Sequence, residues 1–291
     1  MLSRDRNLLA LVFVVALCSM AYQLLVGAVA TQLTGDSVTQ FSVAVGVFLS
    51  ALGLGAFLSR AVQDRLLYRL LWVEVLLGLV GGCSALLLHY VHAQGGELLP
   101  ALVGVSLAIG LLSGFELPLV LRLVETPQEL DRRVSLVLSA DYVGGLGAAL
   151  AFPLLLLPEL GAIQAAFALG LLNLTVVWVV IFRFDLEISP GRSVALASAA
   201  ATSLLLVGLA CSDELQSWVE SKAHPGRSIV SHQTRYQRLL LARGRADLRL
   251  YINGNLQFSS RDEHRYHEAL VHPAMLAAAR RERVLILGGG D

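Results

Sequence analysis

The sequence has few charged side chains and no excess of either sign. Only 15% of its 291 residues are Asp, Glu, Lys or Arg, whereas an average soluble domain has about 25%. Acidic and basic residues balance at 22 each, so there is no basic field to attract nucleic acid, and no nucleic-acid partner is expected. Apolar residues reach 56% and the mean hydropathy is +0.68, which excludes an ordinary soluble protein and predicts that most of the chain faces lipid.

Cysteine is scarce, and the motifs that could bind a metal are weak. The three cysteines, Cys18, Cys83 and Cys211, lie in apolar segments without CxxC spacing, which argues against a disulfide framework or a zinc ribbon. One group of possible ligands has helical spacing, but Pro273 disturbs the helix and no HExxH motif is present. Its members are His264, His267, Glu268 and His272. A pocket-lining role is favoured for this group, and no metal is expected.

Seven apolar segments are long enough to cross a bilayer, for which a helix needs about 20 mainly apolar residues. Small residues recur in them at four-residue spacing, as in Gly78/Gly82 and Gly110/Gly114, which predicts close approach of neighbouring helices. The last segment is short and rich in Ala and Ser. The segments lie near residues 7–30, 38–59, 69–91, 99–122, 136–157, 160–182 and 193–211.

The density of charge changes sharply at residue 211. Residues 1–211 carry 10 basic and 13 acidic side chains, whereas the much shorter 212–291 carries 12 and 9. Within the first part, arginines precede the first apolar segment and flank every second loop, and the other loops have none. The positive-inside rule then predicts an inner-membrane protein with a cytoplasmic N-terminus. Seven spans would place the residues after 211 on the outer face, and six or eight would leave them in the cytoplasm.

Three acidic residues, Glu74, Glu116 and Asp141, lie inside the apolar segments. A charged side chain within a bilayer costs roughly 2.5–3.5 kcal/mol on insertion scales, so such groups usually face a partner or a cavity. One interpretation is a cation path or a binding pocket. The other is a structural network with Arg69 and Arg122, completed by lipid headgroups.

The segment after the membrane block predicts a small antiparallel sheet. Apolar or alternating residues at 228–232, 236–242 and 248–252 are typical of strands. Asn253-Gly254 follows and predicts a hairpin, because both residues of the tight turn need a positive φ. Ser260 and Glu263 have the spacing of a capping box and predict the start of a helix.

The C-terminal residues predict the beginning of a nucleotide-binding βα unit. The apolar run 284–287 is typical of a buried parallel strand. It leads directly into a glycine-rich turn, which allows a backbone to approach a bound ligand closely, and the acid after it can bind a hydroxyl or amine. These residues are Gly288, Gly289, Gly290 and Asp291.

The stretch from Tyr236 to Asp291 resembles the spermidine synthase family, the polyamine aminopropyltransferases. The combination and order of the matching residues are specific. They are Tyr236-Gln237, 250–257 (LYINGNLQ), 261–263 (RDE), 266–268 (YHE), His272-Pro273 and 284–291 (VLILGGGD). The membrane block is similar to the N-terminal region of the membrane-fused branch of the family, with less specific cues at 21–23 (AYQ), 115–118 (FELP) and 141–158.

The resemblance implies a fold and a division of the chain. The expected fold is a membrane all-α bundle of about seven transmembrane helices, then a small β-hairpin region and the first strand of a truncated Rossmann-like, methyltransferase-type α/β domain. The expected parts are a transmembrane domain at 1–211, a linker at 212–227, the hairpin region at 228–260, and a linking helix with the first strand and glycine-rich turn at 261–291.

The resemblance also implies a reaction. The family transfers an aminopropyl group from decarboxylated S-adenosylmethionine, a co-substrate, to putrescine, and no cofactor is expected. Gln237 would contact the nucleoside of the donor, and Gly288, Gly289 and Gly290 would form the donor-binding turn. The acceptor amine would be contacted by Tyr266, His267 and Asp291. The other expected partners are the lipid bilayer and a second copy of the chain.

The family's catalytic carboxylate lies beyond the glycine turn, so no catalytic residue is expected within the chain. The sequence is therefore interpreted as a fragment of a longer protein that cannot catalyse the transfer alone. An alternative is a multi-span polyamine transporter or scaffold with a non-catalytic synthase-like tail, for which the membrane acids Glu74, Glu116 and Asp141 would bind the cation. A third is a methyltransferase-like relative with another acceptor.

Overall fold

The computed structural model describes residues 2–123, 130–183, 192–223, 227–234, 237–244 and 246–286. The chain divides into two compact units, Met1–Glu220 and Ser221–Asp291. Helices make up the first unit, and the second contains a small antiparallel sheet and a helix.

Seven helices of the first unit follow the apolar segments of the sequence, and each begins one to six residues before the predicted segment. Their polar connections are short, and Asp36 caps the second helix by accepting a hydrogen bond from the backbone N–H of Thr39 at 3.1 Å. The helices are α1 (Leu2–Thr34), α2 (Ser37–Ser59), α3 (Leu66–Ala93), α4 (Leu98–Leu123), α5 (Leu130–Ala151), α6 (Leu157–Arg183), α7 (Arg192–Ala210) and α8 (Ser212–Ala223).

The prediction of seven separate spans is wrong. In the described part of the chain, six helical segments are long and apolar enough to cross a membrane, and one of them, Val134–Phe182, is 49 residues long. It covers the predicted segments 136–157 and 160–182, because a π-helical stretch at Phe152–Leu156 connects α5 directly to α6. Single π turns occur inside α-helices, and Pro153 is the second residue of this one. The backbone departs from helical geometry at Gly161, where φ is 72°.

Glycines bring the helix backbones of the first unit together. A Cβ atom on Gly110 would lie 2.5 Å from the carbonyl oxygen of Phe48, and one on Gly170 would lie 2.7 Å from that of Gly78. Neither contact tolerates a side chain, so the predicted close packing at these small residues is confirmed. Gly46 has open space where its Cβ would be, so this small residue does not mark a helix contact.

The sheet of the second unit has the strand order β1-β2-β3-β4, and each neighbouring pair is antiparallel. Its small core consists of Leu240, Ala242 and Tyr251. The predicted Asn253-Gly254 hairpin is confirmed, with φ of 51° and 81° at the two turn residues. The strands are β1 (Arg227–Gln233), β2 (Arg238–Arg243), β3 (Leu248–Ile252) and β4 (Asn255–Ser259).

The helix after the sheet, α9 (Glu263–Ala277), begins later than the capping box predicted. Its N-cap is Asp262, and the Ser260 hydroxyl instead accepts a hydrogen bond from the backbone N–H of Leu248 at 2.9 Å. The Ser260 side chain therefore closes the β3–β4 hairpin rather than the helix. Pro273 lies inside α9, which continues for four more residues to Ala277.

The prediction that residues 284–287 form the first strand of a Rossmann-like domain is wrong for 284–286, the part that the structure describes. Val284, Leu285 and Ile286 are not in a strand, and each is at least 63% exposed. A strand is stabilised by hydrogen bonds to neighbouring strands, and the strands of the described residues all belong to the antiparallel sheet. The rest of this prediction, Leu287 and the glycine turn, lies outside the described residues.

Candidate functional site

Two of the predicted amine-binding residues, Tyr266 and His267, lie side by side on α9. Their rings meet edge to face with centroids 5.7 Å apart, and Tyr266 is 61% exposed. His267 Nε2 lies 2.5 Å from Oε1 of Glu263, one turn earlier on the same helix face. The carboxylate therefore orients the imidazole ring and adds negative charge beside it.

The predicted donor-binding residue, Gln237, lies immediately before β2 and is held through its backbone. Its N–H donates to the Thr234 hydroxyl at 2.9 Å, and its carbonyl oxygen accepts from the backbone N–H of Thr234, also at 2.9 Å. The structure thus places Tyr266 and His267, the two residues predicted to bind the amine, side by side on α9, and Gln237 at the start of β2 in the same unit.

The other predicted site residues of the second unit lie outside the described residues. These are Gly288, Gly289, Gly290 and Asp291, together with Tyr236 beside the donor-binding position. Among the residues that are described, no group of three or more His, Cys, Asp or Glu side chains is arranged to hold a metal ion.

An ion pair outside the predicted site fixes the β2–β3 connection. Arg249 Nε lies 2.6 Å from Oδ2 of Asp247, whose side chain is only 7% exposed. The hydrogen bond to Asp247 raises the pKa of Arg249 above its ordinary value, so the guanidinium stays charged. The backbone carbonyl of Asp247 also accepts from the N–H of Gly244 at 2.8 Å, which closes the turn.

The three membrane acids of the sequence occupy different environments in the first unit. Glu74 on α3 is 2% exposed and Glu116 on α4 is 7% exposed, whereas Asp141 on α5 is only half-buried. Glu74 and Glu116 lie within electrostatic reach of each other. Glu116 is also within electrostatic reach of Asp141, so the two acids differ from Asp141 in their depth of burial.

The contacts of these acids do not match the predicted network with arginines. The Ser19 hydroxyl donates to both carboxylate oxygens of Glu116, at 3.0 and 3.2 Å. Arg122 donates to the backbone carbonyls of Pro118, Val62 and Ser59 instead. Arg69 is exposed and, among the described residues, makes no ion pair with any of the three acids.

Several polar residues near the acids were not predicted from the sequence as site residues. Ser19, Tyr22 and Asn173 are all buried, and Ser113 donates to the Ser19 hydroxyl at 3.0 Å. Each is a polar residue inside an apolar segment, which is the signal that could have found it. Glu263 was also missed as a partner of His267, although the four-residue spacing of an acid and a histidine on a helix predicts contact.

Comparison with known proteins finds relatives that match the chain along nearly its whole length. No protein-family model and no solved structure matches it. It is 45% identical over 298 aligned residues, 100% of this chain, to polyamine aminopropyltransferase 2 of Ralstonia nicotianae. It is 39% identical over 96% of its length to the polyamine aminopropyltransferase of Leptospira interrogans, and 37% identical over 96% to that of Oceanobacillus iheyensis.

The match covers both units of the chain, but not all of each relative. The chain spans 58%, 56% and 55% of the lengths of these three proteins. The resemblance predicted from the residues between Tyr236 and Asp291 is confirmed and extends beyond them. Over nearly its whole length, the chain is homologous to polyamine aminopropyltransferases of the spermidine synthase family.

Proposed function

We propose that this protein is a membrane-anchored polyamine aminopropyltransferase that transfers an aminopropyl group from decarboxylated S-adenosylmethionine to putrescine. The observation that carries the proposal is the 45% identity over the whole chain to a relative named for this activity. The identity includes the helical unit as well as the sheet, so the relative has both parts in the same order.

The geometry of α9 supports an amine acceptor. Putrescine is a dication, and Glu263 places a carboxylate 2.5 Å from the His267 ring beside the exposed Tyr266. The carboxylate attracts the ammonium group, and the aromatic ring supplies a face on which a cation is stabilised. His267 can accept a hydrogen bond from an amine through a neutral ring nitrogen.

The proposed reaction is a displacement at carbon. The nitrogen of putrescine attacks the aminopropyl carbon bonded to the sulfonium, the carbon–sulfur bond breaks, and its electrons leave with methylthioadenosine. The attacking nitrogen loses a proton to a base, for which a nearby carboxylate is suited. In this proposal Tyr266 and His267 hold the acceptor, and Gln237 contacts the donor.

The deciding experiment is complementation of cells that lack the gene. Methylthioadenosine formation from the donor and putrescine is measured in their membranes after return of the wild type, His267→Ala or His232→Ala. His232 is an exposed histidine on β1 of the same unit and serves as the matched control. We expect the wild type and the control to restore the product, and His267→Ala to lower kcat/KM roughly tenfold or more. Equal product with and without the gene would refute the proposal.

The membrane anchoring rests on the six apolar helical segments of the described residues and on the arginine pattern that predicts a cytoplasmic N-terminus. The side occupied by the second unit decides whether cytosolic donor reaches it. Ser221→Cys, at an exposed position, is to be treated with a membrane-impermeant thiol reagent in intact cells. The exposed native Cys211 is first replaced by serine. If the second unit lies in the cytoplasm, we expect the reagent to label Ser221→Cys only after the cells are opened.

A second candidate keeps the polyamine but changes the activity to transport through the helical unit. The observation that favours it is the burial of Glu74 and Glu116 without an arginine partner in the described structure. Uptake of labelled putrescine into vesicles tests it. Transport by the wild type that is lost with Glu116→Gln supports this candidate, and an absence of uptake removes it.

A further inference from the structure

Polar side chains from four helices meet in the interior of the first unit. We call this group the acidic centre. It is almost completely buried: Tyr22 and Asn173 are 0% exposed, and Glu74 is 2% exposed. Its members are Ser19 and Tyr22 on α1, Glu74 on α3, Ser113 and Glu116 on α4, and Asn173 on α6.

The two carboxyl groups of the acidic centre have no basic partner among the described residues. Among the described residues, Glu116 receives only the Ser19 hydroxyl, shared between its two oxygens. Asn173 donates its amide to the backbone carbonyl of Glu74 at 2.8 Å. A buried carboxylate that lacks a partner costs several kcal/mol, so a bound cation would remove a large penalty.

Three oxygen atoms of the acidic centre are buried without any hydrogen-bond partner in the described structure. They are Oη of Tyr22, Oε2 of Glu74 and Oδ1 of Asn173. Buried polar atoms in native proteins are rarely left unpaired, and each exception calls for an explanation such as a bound ion or ligand. Here the unpaired atoms come from three different helices, so they are not a local defect of one element.

Two glycines of α3 lie against the side chains of Asn173 and Tyr22. A Cβ on Gly78, one turn after Glu74, would lie 3.5 Å from the amide nitrogen of Asn173. A Cβ on Gly81, almost one turn further, would lie 2.6 Å from Cζ of Tyr22. The hydroxyl-bearing ring of Tyr22 is also within electrostatic reach of both Glu74 and Glu116. The two glycines thus admit Tyr22 and Asn173 to the surface of α3 beside the acids.

We propose that the acidic centre binds the ammonium group of a primary amine. An ammonium group has three N–H donors and one positive charge. The three unpaired oxygen atoms supply acceptors for these donors, and the positive charge neutralises one of the two carboxylates, Glu74 or Glu116. This inference concerns binding inside the helical unit and does not depend on the proposed transfer reaction. It adds an amine site to the one proposed at His267.

The test uses the complete protein purified in detergent and radiolabelled n-butylammonium, which has a single ammonium group. Equilibrium binding is compared for the wild type, Glu74→Gln and Tyr22→Phe. Matched controls are Glu159→Gln and Tyr142→Phe, which change an exposed acid and an exposed tyrosine of the same unit. We expect both centre variants to weaken binding roughly tenfold and both controls to bind like the wild type.

Tyr22→Phe separates ligand binding from a structural role. The hydroxyl that it removes has no partner in the described structure, so its loss leaves the unfolding temperature without amine unchanged or slightly higher. n-Butylammonium should raise the unfolding temperature of the wild type and have a much smaller effect on Tyr22→Phe. A drop in stability of Tyr22→Phe without amine, with unchanged binding, overturns the proposal.

His267→Ala distinguishes this site from the one on α9. If n-butylammonium binding persists in His267→Ala but is lost in Glu74→Gln, the bound amine lies in the acidic centre. A residue whose substitution abolishes only methylthioadenosine formation is part of the proposed transfer site. Absence of saturable binding in His267→Ala overturns the inference and leaves the proposed function untouched. Stabilisation by sodium or potassium chloride but not by n-butylammonium at the same concentration also overturns it, because the site would then take an inorganic cation.

Discussion

At the scale of single residues, Glu263 and His267 act as a pair at the proposed acceptor site. The pair is partly solvent-exposed, with 45% of the His267 side chain and 22% of the Glu263 side chain accessible. Solvent weakens such an ion pair, so its main effect is to limit the orientations of the imidazole ring. Glu263 is therefore a positioning residue, and its contribution should appear in the binding of the acceptor.

Replacement of Glu263 by glutamine tests this role. Glu263→Gln keeps the size of the side chain and an oxygen that can accept from His267, but it removes the charge. The charge-assisted hydrogen bond becomes a neutral one that is weaker by about 1 kcal/mol, which should raise the KM for putrescine a few-fold. We expect kcat and the KM for the donor to change much less. Steady-state assays with each substrate varied in turn measure this split. Glu282→Gln, an exposed acid after α9, is the control, and an equal fall in kcat would contradict a positioning role.

The residues of the candidate sites were predictable to different degrees. Tyr266 and His267 were found because the motif that contains them is specific, and Glu74 and Glu116 were found because acids stand out in apolar segments. Tyr22 and Asn173 were not found, since a tyrosine or an asparagine in such a segment is less unusual. Only the packing of α1 and α6 against α3 shows that these side chains are buried beside the acids.

At the scale of elements, the contact between α2 and α4 depends on small residues on both helices. A Cβ on Gly114 would lie 2.9 Å from the Cα of Gly55 and still closer to the carbonyl oxygen of Leu52. These atoms belong to the backbone, which cannot move aside as the end of a side chain can. In lipid, such close packing is a main source of attraction between helices.

Alanine at Gly114 should therefore destabilise the helical unit. Forcing a methyl group into a filled contact costs about 1–3 kcal/mol, and Gly114→Ala should lower the unfolding temperature in detergent. Gly104→Ala is the matched control on the same helix, because nothing lies within 4 Å of its Cβ position. The control should be neutral or stabilising, since alanine favours a helix over glycine by roughly 0.5–1 kcal/mol. Similar unfolding temperatures for the two variants would contradict the close contact.

Elements with a strong local signal were predicted well, and those that depend on distant partners were not. The Asn253-Gly254 turn needs positive φ at both residues, so the sequence identifies it alone. The end of a helix is less local: Ser260 has the right spacing for a cap, but the N–H of Leu248 competes for its hydroxyl. The run at 284–286 is apolar enough for a strand, yet no described strand pairs with it.

At the scale of the whole molecule, both ends of α3 have features of a membrane interface. The helix has 28 residues, about 42 Å at 1.5 Å per residue, which exceeds a hydrocarbon core of about 30 Å. Before it, the Arg60 guanidinium lies 3.6 Å from the centroid of the Phe57 ring. Near its end, Tyr90 stacks on Trp218 of α8 with centroids 5.7 Å apart. Arginine and aromatic side chains are favoured at the two interfaces.

The proposed orientation predicts opposite labelling of the two connections that flank α3. Gln63 lies in the arginine-rich α2–α3 connection and Gln94 in the α3–α4 connection, and both are exposed. With Cys211 replaced by serine, an impermeant thiol reagent applied to intact cells should label Gln94→Cys and spare Gln63→Cys until the membrane is opened, because arginines stay on the cytoplasmic side. The reverse pattern would invert the orientation, and equal labelling of both would show that α3 does not cross the membrane.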